Sequence, residues 1–267
     1  MNALAFIAPS RVGLLKYTAL VTLLLLHSAC VTHTESVYTD PPSPQVALEK
    51  RVALARQYIG EGNWDDAKRN LKAAAHIDPN NAEVHEAFAL VFQSTGEPEL
   101  AEESFKKAIR LDRKLSRARN NYAAFLFSQS RFEEAEKQLE QVIKDPLYSA
   151  RPQAFINLGL CRLQLADRRG AQQAFERALL MERNSRIALL ELAILRFEDG
   201  DYQAAEAYYA NYRREVRQQS ARGLWLGIRL AQHSGDHDAE SSYVLALSNI
   251  YPKSAEYQAY KRVQSGE

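Results

Sequence analysis

The chain has 267 residues, 46% hydrophobic and 25% charged, which excludes a disordered polymer and admits one large domain or two small ones. Formal net charge is +1 and no strongly basic block is present, so nothing marks a nucleic-acid binder. Nine prolines and eleven glycines are few, as a helical protein requires.

The first 29 residues stand apart. Arg11 and Lys16 make a positive region, Tyr17 to Leu26 is an apolar run, and small residues follow at Ser28 and Ala29. This is the layout of a secretory signal peptide. The apolar run is short for a bilayer span. Removing the segment takes away two basic residues and no acidic ones, leaving 32 basic against 33 acidic.

Cys30 follows Ser28-Ala29 and resembles the cysteine of a bacterial lipobox. His27 departs from that pattern, which usually has Leu three places before the cysteine. An ordinary cleaved leader or an uncleaved anchor is the alternative. Lipidation of Cys30 would fix the chain to a membrane, since acyl chains contribute about 0.8 kcal/mol per buried CH₂. Val31 in place of Asp is compatible, by that resemblance, with sorting to the outer membrane. Cys161, the other cysteine, lies on an apolar stretch and reads as a buried, inert thiol.

Residues 30–46 are polar and carry Pro41, Pro42 and Pro44. They read as a flexible tether without helix. Fully extended, such a tether reaches about 55–60 Å.

Residues 47–253 repeat. Leu48 to Asn81 contains two amphipathic helices split by Gly60-Glu61-Gly62-Asn63 and closes on Asp78-Pro79. Further copies start at Ala82, Ser116, Pro152, Arg186 and Ser220. Position 20 is Ala in all six: Ala67, Ala101, Ala135, Ala171, Ala205 and Ala239. Position 24 is Leu or aromatic, and Gly62, Gly96 and Gly200 recur at position 15. Small residues let paired helices approach, and large ones fill the space around them. The pattern resembles the 34-residue tetratricopeptide repeat. It implies an all-α fold, a right-handed superhelical solenoid of six helix-turn-helix units. Departures are the missing prolines of repeats two to five, Tyr212 at a small-residue position, and Arg162 and Arg196 at apolar ones. Residues 254–267, with Tyr257, Tyr260 and Val263, read as a helix capping the last repeat.

In such a solenoid the first helix of each pair lines a concave groove. Positions 2, 5, 9 and 12 place Val52, Ile59, Leu90, Ile156, Leu160, Ile187, Leu190, Ile194, Phe197 and Ile228 there. In repeat three the same positions are Arg117, Asn120, Ala124 and Phe127. The C-terminal half of the lining is the more apolar. These residues either pack between neighbouring first helices or offer a partner's amphipathic helix or extended segment an apolar groove. Val52 and Arg56 stand where carboxylate-clamping repeat proteins carry Lys and Asn, so that clamp is not recognisable.

Catalytic signatures are missing: there is no GxSxG, HExxH or phosphate loop. His233 and His237 lie in HSGDHD, four apart, but across the turn of repeat six rather than along one helix.

In layout, the whole chain resembles the type IV pilus biogenesis lipoproteins of the PilF/PilW kind. The likeness is greatest at Ala55-Arg56-Gln57-Tyr58 through Ala75-His76-Ile77-Asp78-Pro79, and at Asn157-Leu158-Gly159-Leu160-Cys161. That resemblance implies a pilotin, an adaptor held by lipid on the periplasmic face of the outer membrane. It binds the secretin subunit of the type IV pilus and promotes its outer-membrane localisation and multimerisation. It implies no enzyme activity, cofactor, metal, nucleic acid or small-molecule substrate. Two alternatives remain at this stage: a repeat lipoprotein organising cell-wall enzymes or outer-membrane protein assembly, and a hydrolase or enzyme accessory built on HSGDHD.

Overall fold

The computed structural model describes residues 43–265. The expected signal peptide, Cys30 and most of the expected tether lie outside them. Thirteen helices and no strand are found among the described residues. They form six antiparallel pairs and a final single helix. The pairs are α1 (Pro44–Glu61) with α2 (Trp64–Ile77), α3 (Ala82–Ser94) with α4 (Pro98–Leu111), and α5 (Ser116–Ser128) with α6 (Phe132–Val142). They continue as α7 (Arg151–Gln164) with α8 (Arg168–Met181), α9 (Arg186–Glu198) with α10 (Tyr202–Glu215), and α11 (Ala221–Ser234) with α12 (His237–Ile250). The last helix is α13 (Ala255–Ser265). Stacked in this order, the pairs make a superhelical solenoid.

One boundary differs from the sequence reading. Helix α1 starts at Pro44, inside the stretch assigned to the tether. Proline at the first helical position loses no hydrogen bond, because that N–H has no intrahelical partner. Pro44 therefore opens the helix rather than forbidding it.

The repeating residues do what their sizes dictate. Ala67, Ala101, Ala135, Ala171 and Ala205 are fully buried where paired helices cross, as are Leu71, Phe105, Leu139 and Phe175 at position 24. Burying each of the larger side chains stabilises the fold by roughly 1.5–3 kcal/mol. Position 7 packs against the second helix of the preceding repeat: Tyr122 meets Phe105 with ring centroids 5.6 Å apart. Repeat one has no predecessor, so its equivalent residue, Leu54, is 39% exposed.

Several departures from the repeat pattern have a local compensation. Gly62, Gly96 and Gly200 adopt φ of 73–80°, and in repeats three and four Ser130 and Ala166 take the same left-handed conformation. In the first three repeats an aspartate shapes the closing loop. Asp112 accepts from Lys114 N–H at 2.8 Å and Asp145 from Leu147 N–H at 3.0 Å, as Asp78 does from Asn80. Pro79 and Pro146 follow two of these aspartates; at Asp112, where Arg113 stands in place of proline, the side-chain hydrogen bond shapes the turn alone. Arg162 reaches back to Glu136 at 2.8 Å and Glu140 at 3.3 Å, and Arg196 reaches Glu176 at 3.1 Å. Both stems pack while the heads stay polar. At the C-terminal end Tyr257 and Tyr260 of α13 pack on the last repeat, with Tyr260 edge-on to Trp225. Val263, expected to share this cap, is instead 60% exposed.

Candidate partner-binding groove

The ten apolar residues assigned to the groove fall into three groups. Val52, Ile156, Leu190 and Ile228 are buried, the most exposed of them at 7%. They hold neighbouring helices together and offer a partner nothing. Ile59, Leu90, Leu160, Ile194 and Phe197 are half-buried and present part of their surface. Ile187 is exposed, in the first turn of α9 at the edge of the stack.

Leu160 and the fully buried Leu139 of α6 line an apolar depression in the middle of the groove. Ala123, Ala124 and Phe127 of α5 line one side, and Asn157 and Cys161 of α7 the other. The sequence pattern put Phe127 on the groove face but in the more polar half, so its share in this depression was not foreseen. The signal was its position 12, shared with Phe197. Polar atoms rim the depression: Asn157 donates to Asn120 at 3.3 Å and accepts from Gln153 at 2.9 Å. Desolvation, with a smaller contribution from the Glu136 carboxylate, pushes the Cys161 thiol up to about 12. At neutral pH it is a neutral apolar lining group and not a nucleophile.

Near the N-terminal end the groove is charged. Glu86 is completely buried. It accepts from Arg56 at 2.5 Å and from Asn121 at 2.6 Å, and Arg117 lies 3.5 Å away. Arg117 also reaches Glu83 at 2.9 Å. The Arg56 guanidinium is therefore already engaged and is no free clamp for a partner's carboxylate. A second internal pair, Glu191 with Arg222 at 2.5 and 2.9 Å, ties α9 to α11.

Towards the C-terminal end lies an aromatic ledge. Arg229 sits 4.2 Å above the Phe197 ring, Phe197 meets Tyr202 edge-on at 5.1 Å, and Tyr202 stacks on His233. The HSGDHD segment is thus built into structure: Gly235 ends α11 in the left-handed conformation and Asp236 caps α12 by accepting from Ala239 N–H at 2.9 Å. His237 turns away and pairs with Glu240 at 3.8 Å. No described helix is long and apolar enough to cross a membrane.

Comparison with known proteins fits this geometry. The tetratricopeptide repeat signature matches residues 52–116, 86–155 and 156–220. The chain is 39% identical over 246 residues to the type IV pilus assembly protein PilF of Pseudomonas aeruginosa, covering 91% of this chain and 97% of that one. The solved structure of Pseudomonas aeruginosa PilF superposes with a TM-score of 0.78, covering 82% of this chain and 98% of that one. That of PilW, a widely conserved type IV pilus biogenesis factor, superposes at 0.69 with 26% identity, covering 81% and 98%.

Proposed function

The chain belongs to the tetratricopeptide repeat family, among the PilF-type type IV pilus assembly proteins, and from that premise we propose that it is a non-catalytic adaptor in type IV pilus biogenesis. It binds the secretin subunit of the pilus and promotes its localisation and multimerisation in the outer membrane. Acyl chains on Cys30 hold it to the periplasmic face of that membrane. The groove grips the partner, so cargo and carrier travel by physical linkage.

The observation that carries the reading is the whole-length likeness to a pilus assembly protein, 97% of which is covered. The groove adds a physical means. Ile59, Leu90, Leu160, Ile194 and Phe197 leave apolar surface open along one face, and such a strip suits an amphipathic helix or extended segment.

Affinity capture from envelope extract tests the partner: secretin should be recovered, and recovery of cell-wall enzymes without secretin would replace the proposal with a different scaffold. Fractionation tests the anchor. Cys30→Ser should leave the secretin mislocalised, and normal outer-membrane assembly in that strain would sink the carrier mechanism.

A further inference from the structure

The two edges of the solenoid differ. One rim is made by the turns inside each helix pair. The other is made by the loops between pairs, where second helices end and first helices begin. Hydrogen bonds hold this second rim together: Ser116, at the start of repeat three, donates to Asp145 near its end at 2.6 Å, and Tyr251 of repeat six donates to the carbonyl of Gln219, just before that repeat, at 2.9 Å.

Exposed apolar side chains collect on the inter-repeat rim. Of the twelve large hydrophobic side chains exposed among the described residues, eight lie there, among them Ile77, Leu111, Leu147, Leu180, Met181 and Ile250. Leu147 is 91% exposed and Leu180 74%. Neither fills any part of the core, and neither a solvated loop, for Leu147, nor the solvated last turn of α8, for Leu180, has a use for them. Leu100 alone of the twelve lies on the opposite rim.

Charge divides the same way. Segments 76–81, 110–116, 142–151, 180–187, 214–220 and 249–255 carry ten basic residues against five acidic. The inter-helix turns 60–66, 94–100, 128–134, 164–170, 198–204 and 234–240 carry three against fourteen. Helix ends account for the acidic rim, because carboxylates there cap or face helix N-termini. They do not account for Arg113, Lys114, Lys144, Arg183, Arg217 and Lys253, which all lie beyond the last helical residue. Arg113, Lys114, Arg119 and Lys144 line one shallow depression. None of the four has an ion-pair partner within 4 Å among the described residues. Asp145, the one carboxylate there, is taken up by Ser116 and by the N–H of Leu147.

The chain that precedes the fold joins it at the same rim. Helix α1 starts at Pro44, at the end shared by the starts of all first helices. The 43 residues before it include the apolar run Tyr17–Leu26.

We propose that the inter-repeat rim rests on an anionic lipid bilayer, its leucines entering the interface and its lysines and arginines meeting headgroup phosphates. Apolar side chains interleaved with basic ones are what such a surface selects. The solenoid then stands with its acidic rim away from the membrane and its groove running parallel to it. This rests on neither secretin binding nor acylation of Cys30.

The test uses the full chain carrying Cys30→Ser, labelled with an environment-sensitive fluorophore at Leu147→Cys or, on the opposite rim, Gln129→Cys. Cys161 is buried and stays unlabelled. Vesicles of phosphatidylcholine with phosphatidylglycerol should shift the label at 147 to the blue and shield it from an aqueous quencher. The label at 129 should not respond, and vesicles without phosphatidylglycerol should act weakly at 147. Arg113→Gln with Lys114→Gln should lower vesicle partition by on the order of 25-fold, about fivefold for each charge, with helical content unchanged. A silent label at 147, or an equal response at 129, overturns the proposal. So does a rim variant that keeps its vesicle partition but loses an envelope protein from affinity capture, which would assign the rim to a protein partner.

Discussion

The ring of Tyr212 lies against Gly223 so closely that a β-carbon on residue 223 would sit 2.8 Å from the ring edge and from the hydroxyl oxygen. The two residues solve one problem. Repeat five carries a large side chain where the pattern calls for a small one, and repeat six gives up its own side chain to receive it. The hydroxyl is then satisfied by the N–H of Ser220 at 3.2 Å.

Gly223→Ala is therefore expected to destabilise the protein by about 1–3 kcal/mol through overpacking. Combined with Tyr212→Ala, the cost of the added methyl should largely vanish. Denaturant titration of the two single variants and the double variant reads this coupling, and simple additivity would show that the contact is not responsible.

Ala166 and Ser130 hold the left-handed conformation that glycine holds in repeats one, two and five. A non-glycine residue costs roughly 1–2 kcal/mol there. Ala166→Gly should recover about 1 kcal/mol of it and raise the midpoint of unfolding, the greater freedom of glycine in the unfolded chain offsetting the rest.

Acid should weaken the join between repeats two and three. Hydrogen bonds from Arg131 hold the Glu102 carboxyl at about 2, with Lys106 and Tyr122 adding to the effect against an opposing desolvation. The folded value lies below the unfolded one, so the stabilisation is complete above about pH 4.5 and is lost as pH falls towards 2. Solvent screening limits it to about 1–2 kcal/mol. Glu102→Gln should remove that part of the acid dependence in thermal melts recorded across this window, and an unchanged slope would refute the assignment.

Glu86 is buried without solvent and surrounded by Arg56, Arg117 and Asn121. Glu86→Ala leaves the guanidinium groups without their buried counter-charge, with only the more exposed Glu83 beside them, and should cost about 3–5 kcal/mol, whereas Arg56→Met with Glu86→Met should cost much less. Equal losses would mean that packing, and not charge, matters at this point.

Within the groove, burial separates binding variants from folding variants. Leu160→Glu places a charge in the lining of the open depression and should abolish secretin capture with helical content intact. Leu190→Glu places one in the core and should cost several kcal/mol, unfolding the C-terminal repeats. Circular dichroism beside the capture assay distinguishes them. Capture unaffected by Leu160→Glu would move the site off this face.

The sequence shows the fold more clearly than the site, for a physical reason. Ala67 and its five counterparts, and the Leu or aromatic residues at position 24, contact partners within their own repeat, so a single period reveals them. Val52, Ile156, Leu190 and Ile228 looked like groove surface because position 5 or 9 faces the groove in one isolated helix pair. Their burial comes from the next pair in the stack, which no single repeat encodes. Pro44 misled in another way: its effect depends on whether it stands inside a helix or at its first residue. Leu147 lies in a loop and Leu180 in the last turn of α8, and only the stack aligns them. A recurring apolar residue at position 30, seen in Ile77, Leu111 and Met181, was the available hint.

The core is shared unevenly along the stack. Repeats two to five contribute to one extensive cluster running from Ala89 to Leu195, whereas the last repeat rests on Leu224, Ile228 and Leu247 with half-buried aromatics around them. In a linear array each unit is stabilised only by its neighbours. The C-terminal turn of the stack therefore opens at lower cost than the centre, and its amides exchange with solvent first. The molecule melts like a zipper, from its far end towards the middle. A partner bridging the last repeats would close that end and slow exchange there without touching a residue of the central core.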